Sequence, residues 1–390
     1  MSSVLDIFRL RQYFDAITVA RQVGAGLFED AGFLYDFRRT LLPLPFEGRG
    51  PRPEVESPFP QREVRRQGGL AGRRVAIAST GGSGALASVV GVARAFEERG
   101  VTPAAISACS GSALFAYPLG TGMPADEVAT FVLGLRPRDY LDLDLAGVLA
   151  IPLRAARGFS GLLRGQAVED AYRGLLGDMR LAELPIPVYA PVWEVDHNRL
   201  VHIGPETHPD LPVARAVRMS IALPLLIESV QLDGSWWCDG GIVDIFPVRP
   251  LLERVAPEAV VAVNGFYPPE FAGEDEAGWH DRSMSILYAA SQVRTSQQVE
   301  LARENLARLR RECRVELVDP VPYDKVRGLG FYRQFIDNAE WASFMRAGRT
   351  AGLQALDALA GEFAAPSPSA VPVTRRSRGP GAPTSGAPGR

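Results

Sequence analysis

The sequence predicts an α/β domain in which a mainly parallel sheet is sandwiched between helices. Three observations carry this. Short apolar runs alternate with helical ones: Val75-Ala76-Ile77-Ala78, an amphipathic stretch from Leu86 to Arg99, Ala104 to Ser107, then Ala113-Leu114-Phe115-Ala116-Tyr117. Strands alternating with helical patterns build βαβ units and a parallel sheet. The strand-to-helix junctions are small and sharp, Ser79-Thr80-Gly81-Gly82-Ser83-Gly84 and Ala108-Cys109-Ser110-Gly111-Ser112. Finally, 390 residues at 46% hydrophobic content suffice to bury a large core.

The elements follow in order. Val4 to Val23 has Val4, Ile7, Phe8, Leu10, Phe14 and Ile17 spaced mainly by threes and fours, which predicts an amphipathic helix. Apolar residues continue through Phe33-Leu34-Tyr35 to Leu41-Leu42-Pro43. Such an arm either packs on the core or a partner copy, or attaches peripherally to a membrane, because aromatic and aliphatic residues alternate with arginines. Glu47 to Gly69, rich in Pro, Arg and Glu, reads as a linker or a surface-hugging loop. Residues 71–363 form the main domain, after an arm and linker over 1–70. In the Leu86 to Arg99 helix, Val89, Val90, Ala93 and Phe96 share one face and Arg94, Glu97, Glu98 and Arg99 the other.

Between Leu133 and Gly165 an apolar segment is broken by Pro152 and Gly158. It reads equally as an acyl-pocket lining or lid and as a helix packed on the sheet. Val230-Gln231-Leu232-Asp233-Gly234-Ser235-Trp236 is a hairpin with an Asp-Gly turn. A long helix is expected from Ser285 to Arg311, a strand over Val315 to Val318 and a last helix from Phe335 to Leu359. The tail over 364–390, built of Pro, Ser, Gly, Ala and Arg without aromatics, is expected to be disordered.

Three segments carry chemistry. Ser110 sits where an apolar strand stops and a helix begins, the geometry of a nucleophile elbow at the positive end of a helix dipole, although Ala108 and Ser112 stand where G-x-S-x-G has glycines. A buried turn serine fits the same residues. The turn Gly81-Gly82-Ser83-Gly84 follows its own strand, and its N–H groups can face an anion. It is a tight turn, a phosphate loop or an oxyanion hole. The phosphate loop lacks both G-x-G-x-x-G and a Gly-Lys-Ser/Thr ending. One helix and one strand separate it from Ser110, which puts both turns at one sheet edge. Third, Trp236-Trp237-Cys238-Asp239-Gly240-Gly241 places an aspartate between a strand and two glycines, where aspartate commonly forms turns.

In this order the three segments resemble the patatin-like phospholipase family, and the resemblance extends over residues 72 to 360. It takes in Gly91-Val92-Ala93-Arg94-Ala95-Phe96 after the glycine turn and Ser220-Ile221-Ala222-Leu223-Pro224 before the aspartate. It implies a three-layer α/β/α fold and a serine–aspartate dyad, with Ser110 as nucleophile and Asp239 as its base. Gly81, Gly82 and Ser83 would supply the oxyanion-hole amides. The implied activity is hydrolysis of acyl esters in lipids, of phospholipase or carboxylesterase type. The sequence departs from the family pattern at Ala85, where an arginine is usual, and at Ala108 and Ser112. The elbow survives those two if neither position needs positive φ.

The chemistry stands without the family. A serine hydroxyl becomes nucleophilic when a base accepts its proton, and a carboxylate can serve once desolvation raises its pKa towards neutrality. A histidine triad is the alternative, since Ser110, Asp239 and His280 follow the chain order of α/β-hydrolases. His280, however, lies in an acidic, glycine-containing loop. Cys109 is an alternative attacking group or a small core residue. A transacylase using the same dyad and a catalytically weakened lipid-binding protein are the other two readings.

The net charge of −3 leaves no basic footprint for nucleic acid. Cys109, Cys238 and Cys313 make neither a disulfide framework nor a metal pattern, consistent with a reducing compartment. With no secretory signal and no bilayer-length apolar run evident, the expected location is cytoplasmic, with peripheral membrane contact through the arm. The expected partner is a lipid or acyl-ester substrate. Acyl transfer through a dyad requires no metal or organic cofactor, and there is no calcium-ligand loop.

Overall fold

The computed structural model describes residues 55–66, 68–136, 139–144, 158–273, 279–281, 285–326, 334 and 338–365. The expected N-terminal helix, residues 137–138 and 145–157 of the segment between 133 and 165, and nearly all of the tail lie outside them. Strand β1 (Val75–Ser79) leads through a 3-10 turn (Gly84–Ala87) into helix α1 (Ser88–Arg99). Then come β2 (Ile106–Ala108), α2 (Ala113–Gly120), α3 (Ala125–Leu133), β3 (Gly161–Leu163) and α4 (Gln166–Leu176). The hairpin β4 (Val188–Glu194) and β5 (Arg199–Ile203) is followed by α5 (Val213–Ser220), β6 (Leu225–Ile227), β7 (Val230–Leu232) and β8 (Ser235–Asp239). Last are β9 (Ala259–Val263), α6 (Ser285–Glu312), β10 (Arg314–Val318) and α7 (Trp341–Ala364).

Eight strands form one sheet in the order β10-β9-β1-β2-β4-β8-β7, with β5 also paired to β4. From β10 to β4 every pairing is parallel; β4, β5, β7 and β8 pair antiparallel. β1 and β9 are buried along their whole length, as central parallel strands covered on both faces must be. The pleat divides β1 between two cores. Val75 and Ile77 join α1 and α7 in the larger one. Ala76 and Ala78 face the other way, onto Val299, Ala302, Leu306 and Leu309 of α6. The three-layer α/β/α arrangement expected from the sequence is the observed one.

Helix α7 crosses α1 at backbone contact, because a Cβ built on Gly348 would stand 2.0 Å from the Ser88 carbonyl oxygen. Gly348→Val therefore forces the layer apart. Overpacking of this kind costs about 1–3 kcal/mol or more, read as a lowered midpoint in urea at unchanged slope.

Element boundaries shift where local chemistry overrides periodicity. The first helix opens as a 3-10 turn at Gly84, ahead of the expected Leu86, and β2 runs Ile106–Ala108, not Ala104 to Ser107. The described part of the last helix, α7, begins at Trp341; Asn338 precedes it and its side chain donates to the carbonyls of Leu133 and Leu135 at 3.2 and 3.0 Å, while residues 335–337 of the expected helix lie outside the described residues. The Asp-Gly hairpin forms as expected, with Asp233 at φ 50° and Gly234 at φ 82°.

Candidate active site

Register brings the three segments together. Ser79 at the end of β1 pairs with Ala108 at the end of β2, so the glycine turn and the serine turn leave the sheet side by side. β2 pairs with Val188 and Tyr189 of β4, whereas antiparallel β8 pairs with Val192 to Glu194. β2 and β8 thus run towards each other along β4, and Asp239, opposite Val192, arrives at the turn that follows β2.

Ser110 has φ 52°, a left-handed conformation that costs a residue with a side chain on the order of 1–3 kcal/mol. Such strain at a strand-to-helix turn is the mark of a nucleophile elbow. The departures at Ala108 and Ser112 are harmless because neither needs positive φ: Ala108 is in β2 and Ser112 is helical at φ −67°. Ser112 also locks the elbow, its Oγ donating to the Cys109 carbonyl at 2.7 Å. Gly111 permits a close approach, since a Cβ there would lie 2.2 Å from the Gly82 carbonyl oxygen.

The Asp239 side chain is buried, with the residue only 1% exposed. Its Oδ1 accepts from the Gly241 N–H at 2.8 Å, and its buried Oδ2 has no partner in hydrogen-bond geometry among the described residues. Burial pushes this carboxyl up to about 7, while the Ser110 hydroxyl and the Gly241 N–H beside it act in the opposite direction. The site therefore holds a carboxyl poised near neutral pH next to a strained serine. Cys109 is fully buried, and burial, followed by the charges of Asp239 and Asp244, holds its thiol well above the usual range; it is a core residue.

The histidines are engaged elsewhere. His202 Nε2 meets Asp244 Oδ2 at 3.0 Å, and His197 Nδ1 meets Glu194 at 2.7 Å. His208 packs edge-on against Trp237, and His280 is in a short 3-10 turn, Trp279–Asp281. None is among the groups that shift the Asp239 carboxyl.

The glycine turn corrects one expectation. The Gly81 N–H donates to the Ile245 carbonyl at 2.8 Å, which removes it from the set of oxyanion donors. The N–H groups of Gly82 and Ser83 have no such acceptor among the described residues. Ser83, Gly84 and Gly111 line one pocket together with the apolar side chains of Leu114, Leu135, Val168, Tyr172, Ile221 and Trp341. Two of its walls are pinned. The Tyr172 hydroxyl donates to the Leu114 carbonyl at 2.6 Å, and the Trp341 indole donates to the Gln334 carbonyl at 3.1 Å. Leu135 and Tyr140 reach this pocket from the described part of the segment between 133 and 165.

Sequence reasoning missed the groups that hold the aspartate loop. Gln298 of α6 donates to the Gly241 carbonyl at 2.9 Å, and Asn305 donates to the Phe246 carbonyl at 2.8 Å and to Asp244 at 3.2 Å. Their only signal was polarity on an otherwise packed helix face. Among the described residues no group of three or more His, Cys, Asp or Glu could hold a metal ion, and no helix is long and apolar enough to cross a membrane.

Residues 78–252 match the family model described as patatin-like phospholipase. An uncharacterized NTE family protein of Mycobacterium tuberculosis is 29% identical over 198 residues, 50% of this chain and 51% of that protein, so the chain spans about half the length of that relative. Lysophospholipase NTE1 of Cryptococcus neoformans is 24% identical over 225 residues, 54% of this chain and 12% of the fungal protein. Among solved structures, VipD from Legionella pneumophila aligns with 81% of this chain and 72% of its own, at 16% identity and a TM-score of 0.43.

Proposed function

We propose that this chain, whose residues 78–252 match the family model described as patatin-like phospholipase, is a lipid acyl hydrolase acting through an acyl-enzyme on Ser110, with Asp239 as general base. The observation that carries the reading is the buried carboxyl near pKa 7 beside a serine held at φ 52°. Ionised Asp239 takes the proton of the Ser110 hydroxyl as Oγ attacks the ester carbonyl. The oxygen that becomes negative meets the N–H groups of Gly82 and Ser83, each worth about two to three orders of magnitude in rate. Asp239 returns the proton to the leaving alcohol, and a water then releases the acyl group by the same path in reverse.

The small pocket beside Gly111 is lined mostly by apolar side chains, the surroundings an acyl chain entering from the elbow would meet. Val168→Phe narrows it, so kcat/KM for p-nitrophenyl octanoate falls relative to the acetate by about ten-fold or more. Equal losses on both esters would argue against acyl binding there. The reading itself is tested with a fluorophosphonate probe and peptide mass spectrometry. An adduct on Ser110 that Asp239→Asn abolishes and His280→Ala leaves intact supports the dyad. A folded protein that takes no label anywhere would leave a lipid-binding protein without hydrolase activity.

A further inference from the structure

Ser83 occupies the N-cap position of the 3-10 turn Gly84–Ala87, which continues directly into α1. A serine there ordinarily accepts from an N–H of the first helical turn. Ser83 makes no such cap bond. The residue is 3% exposed, and its Oγ is buried without a hydrogen-bond partner among the described residues. An unpaired buried hydroxyl is costly and is retained where something else demands it. It stands at the right place for that: its Cα is 3.6 Å from the point a Cβ on Gly111 would occupy, and it lines the same pocket as Gly111 and Leu114. The turn also lacks a donor, because the Gly81 N–H is taken by Ile245.

From this juxtaposition we propose that the Ser83 hydroxyl is a catalytic group, a side-chain donor to the oxyanion that supplements the Gly82 and Ser83 amides. The inference rests on the acyl-hydrolase reading above. During attack the carbonyl oxygen gains charge, and the Ser83 O–H turns towards it; no bond to Ser83 is formed or broken. The bond strengthens as charge develops, so it acts on turnover more than on substrate binding.

The test is steady-state hydrolysis of p-nitrophenyl butyrate by wild type, Ser83→Ala, Ser83→Gly and Ser83→Thr, with fluorophosphonate labelling and thermal unfolding of each. Ser83→Ala and Ser83→Gly should lower kcat by about 10²-fold with KM within about two-fold, and slow labelling in parallel, while the midpoint of unfolding is unchanged or raised. A hydroxyl with a merely structural partner would instead lower the midpoint. Ser83→Thr should retain more turnover than either. Unchanged kcat in both Ser83→Ala and Ser83→Gly, with Ser110 still labelled, would overturn the proposal and leave the hydrolase reading standing. Absence of label on wild-type Ser110 would remove that reading itself.

Discussion

On the proposed dyad, Ser110→Ala and Asp239→Asn should each lower ester turnover by a factor on the order of 10⁴ or more, and the double variant should be no worse than either alone. The size follows from the division of labour. In the proposed mechanism there is no acyl-enzyme without Oγ, and without the carboxylate the hydroxyl keeps its proton, so each variant would remove the whole covalent route. What remains is binding and the oxyanion donors, which is why the losses do not add. Neither substitution disturbs the core: Ser110 is at the partly exposed elbow, and an amide at Asp239 still accepts from the Gly241 N–H through its oxygen. Circular dichroism should therefore be unchanged while the rate collapses. Full activity in Asp239→Asn combined with loss in His202→Ala or His280→Ala would move the base to a histidine.

The fold and the site were legible in the sequence to different depths. Strand–helix alternation from Val75 to Tyr117 announced a parallel sheet because central strands are apolar on both faces, as β1 is. The juxtaposition of the glycine turn and Ser110 was also legible, since one right-handed βαβ unit places both turns at the same strand ends. The approach of Asp239 was not derivable from local pattern. It depends on β8 entering antiparallel on β4, a pairing far along the chain, and only the family resemblance pointed to it. Donor availability was equally out of reach. Gly81 looks like Gly82 in sequence, yet the carbonyl of Ile245 claims one amide and not the other. The anchoring by Gln298 and Asn305 is tertiary for the same reason: polarity marks a residue, and packing decides what it meets.

The same carboxyl ties activity and stability to pH with opposite signs. The acid limb of kcat/KM should rise with an apparent pKa of about 7, because only ionised Asp239 can accept the serine proton. Folding responds the other way. The folded-state value is raised from an ordinary 3.8 to about 7, so between these pH values the native protein binds more protons than the unfolded chain. Its stability is then fully present below about pH 4, falls as pH rises and levels off above about 7. At pH 8 the ionised buried carboxylate costs up to about 4 kcal/mol relative to a neutral group, at 1.36 kcal/mol per pKa unit. Asp239→Asn removes that cost, so the inactive variant should be the more stable protein at pH 8 and nearly equal to wild type at pH 4. Urea unfolding at the two pH values reads the difference directly. A variant less stable than wild type at pH 8 would mean that the carboxylate is held by more than the Ser110 hydroxyl and the Gly241 N–H, and a carboxylate so satisfied would be too weak a base for Ser110.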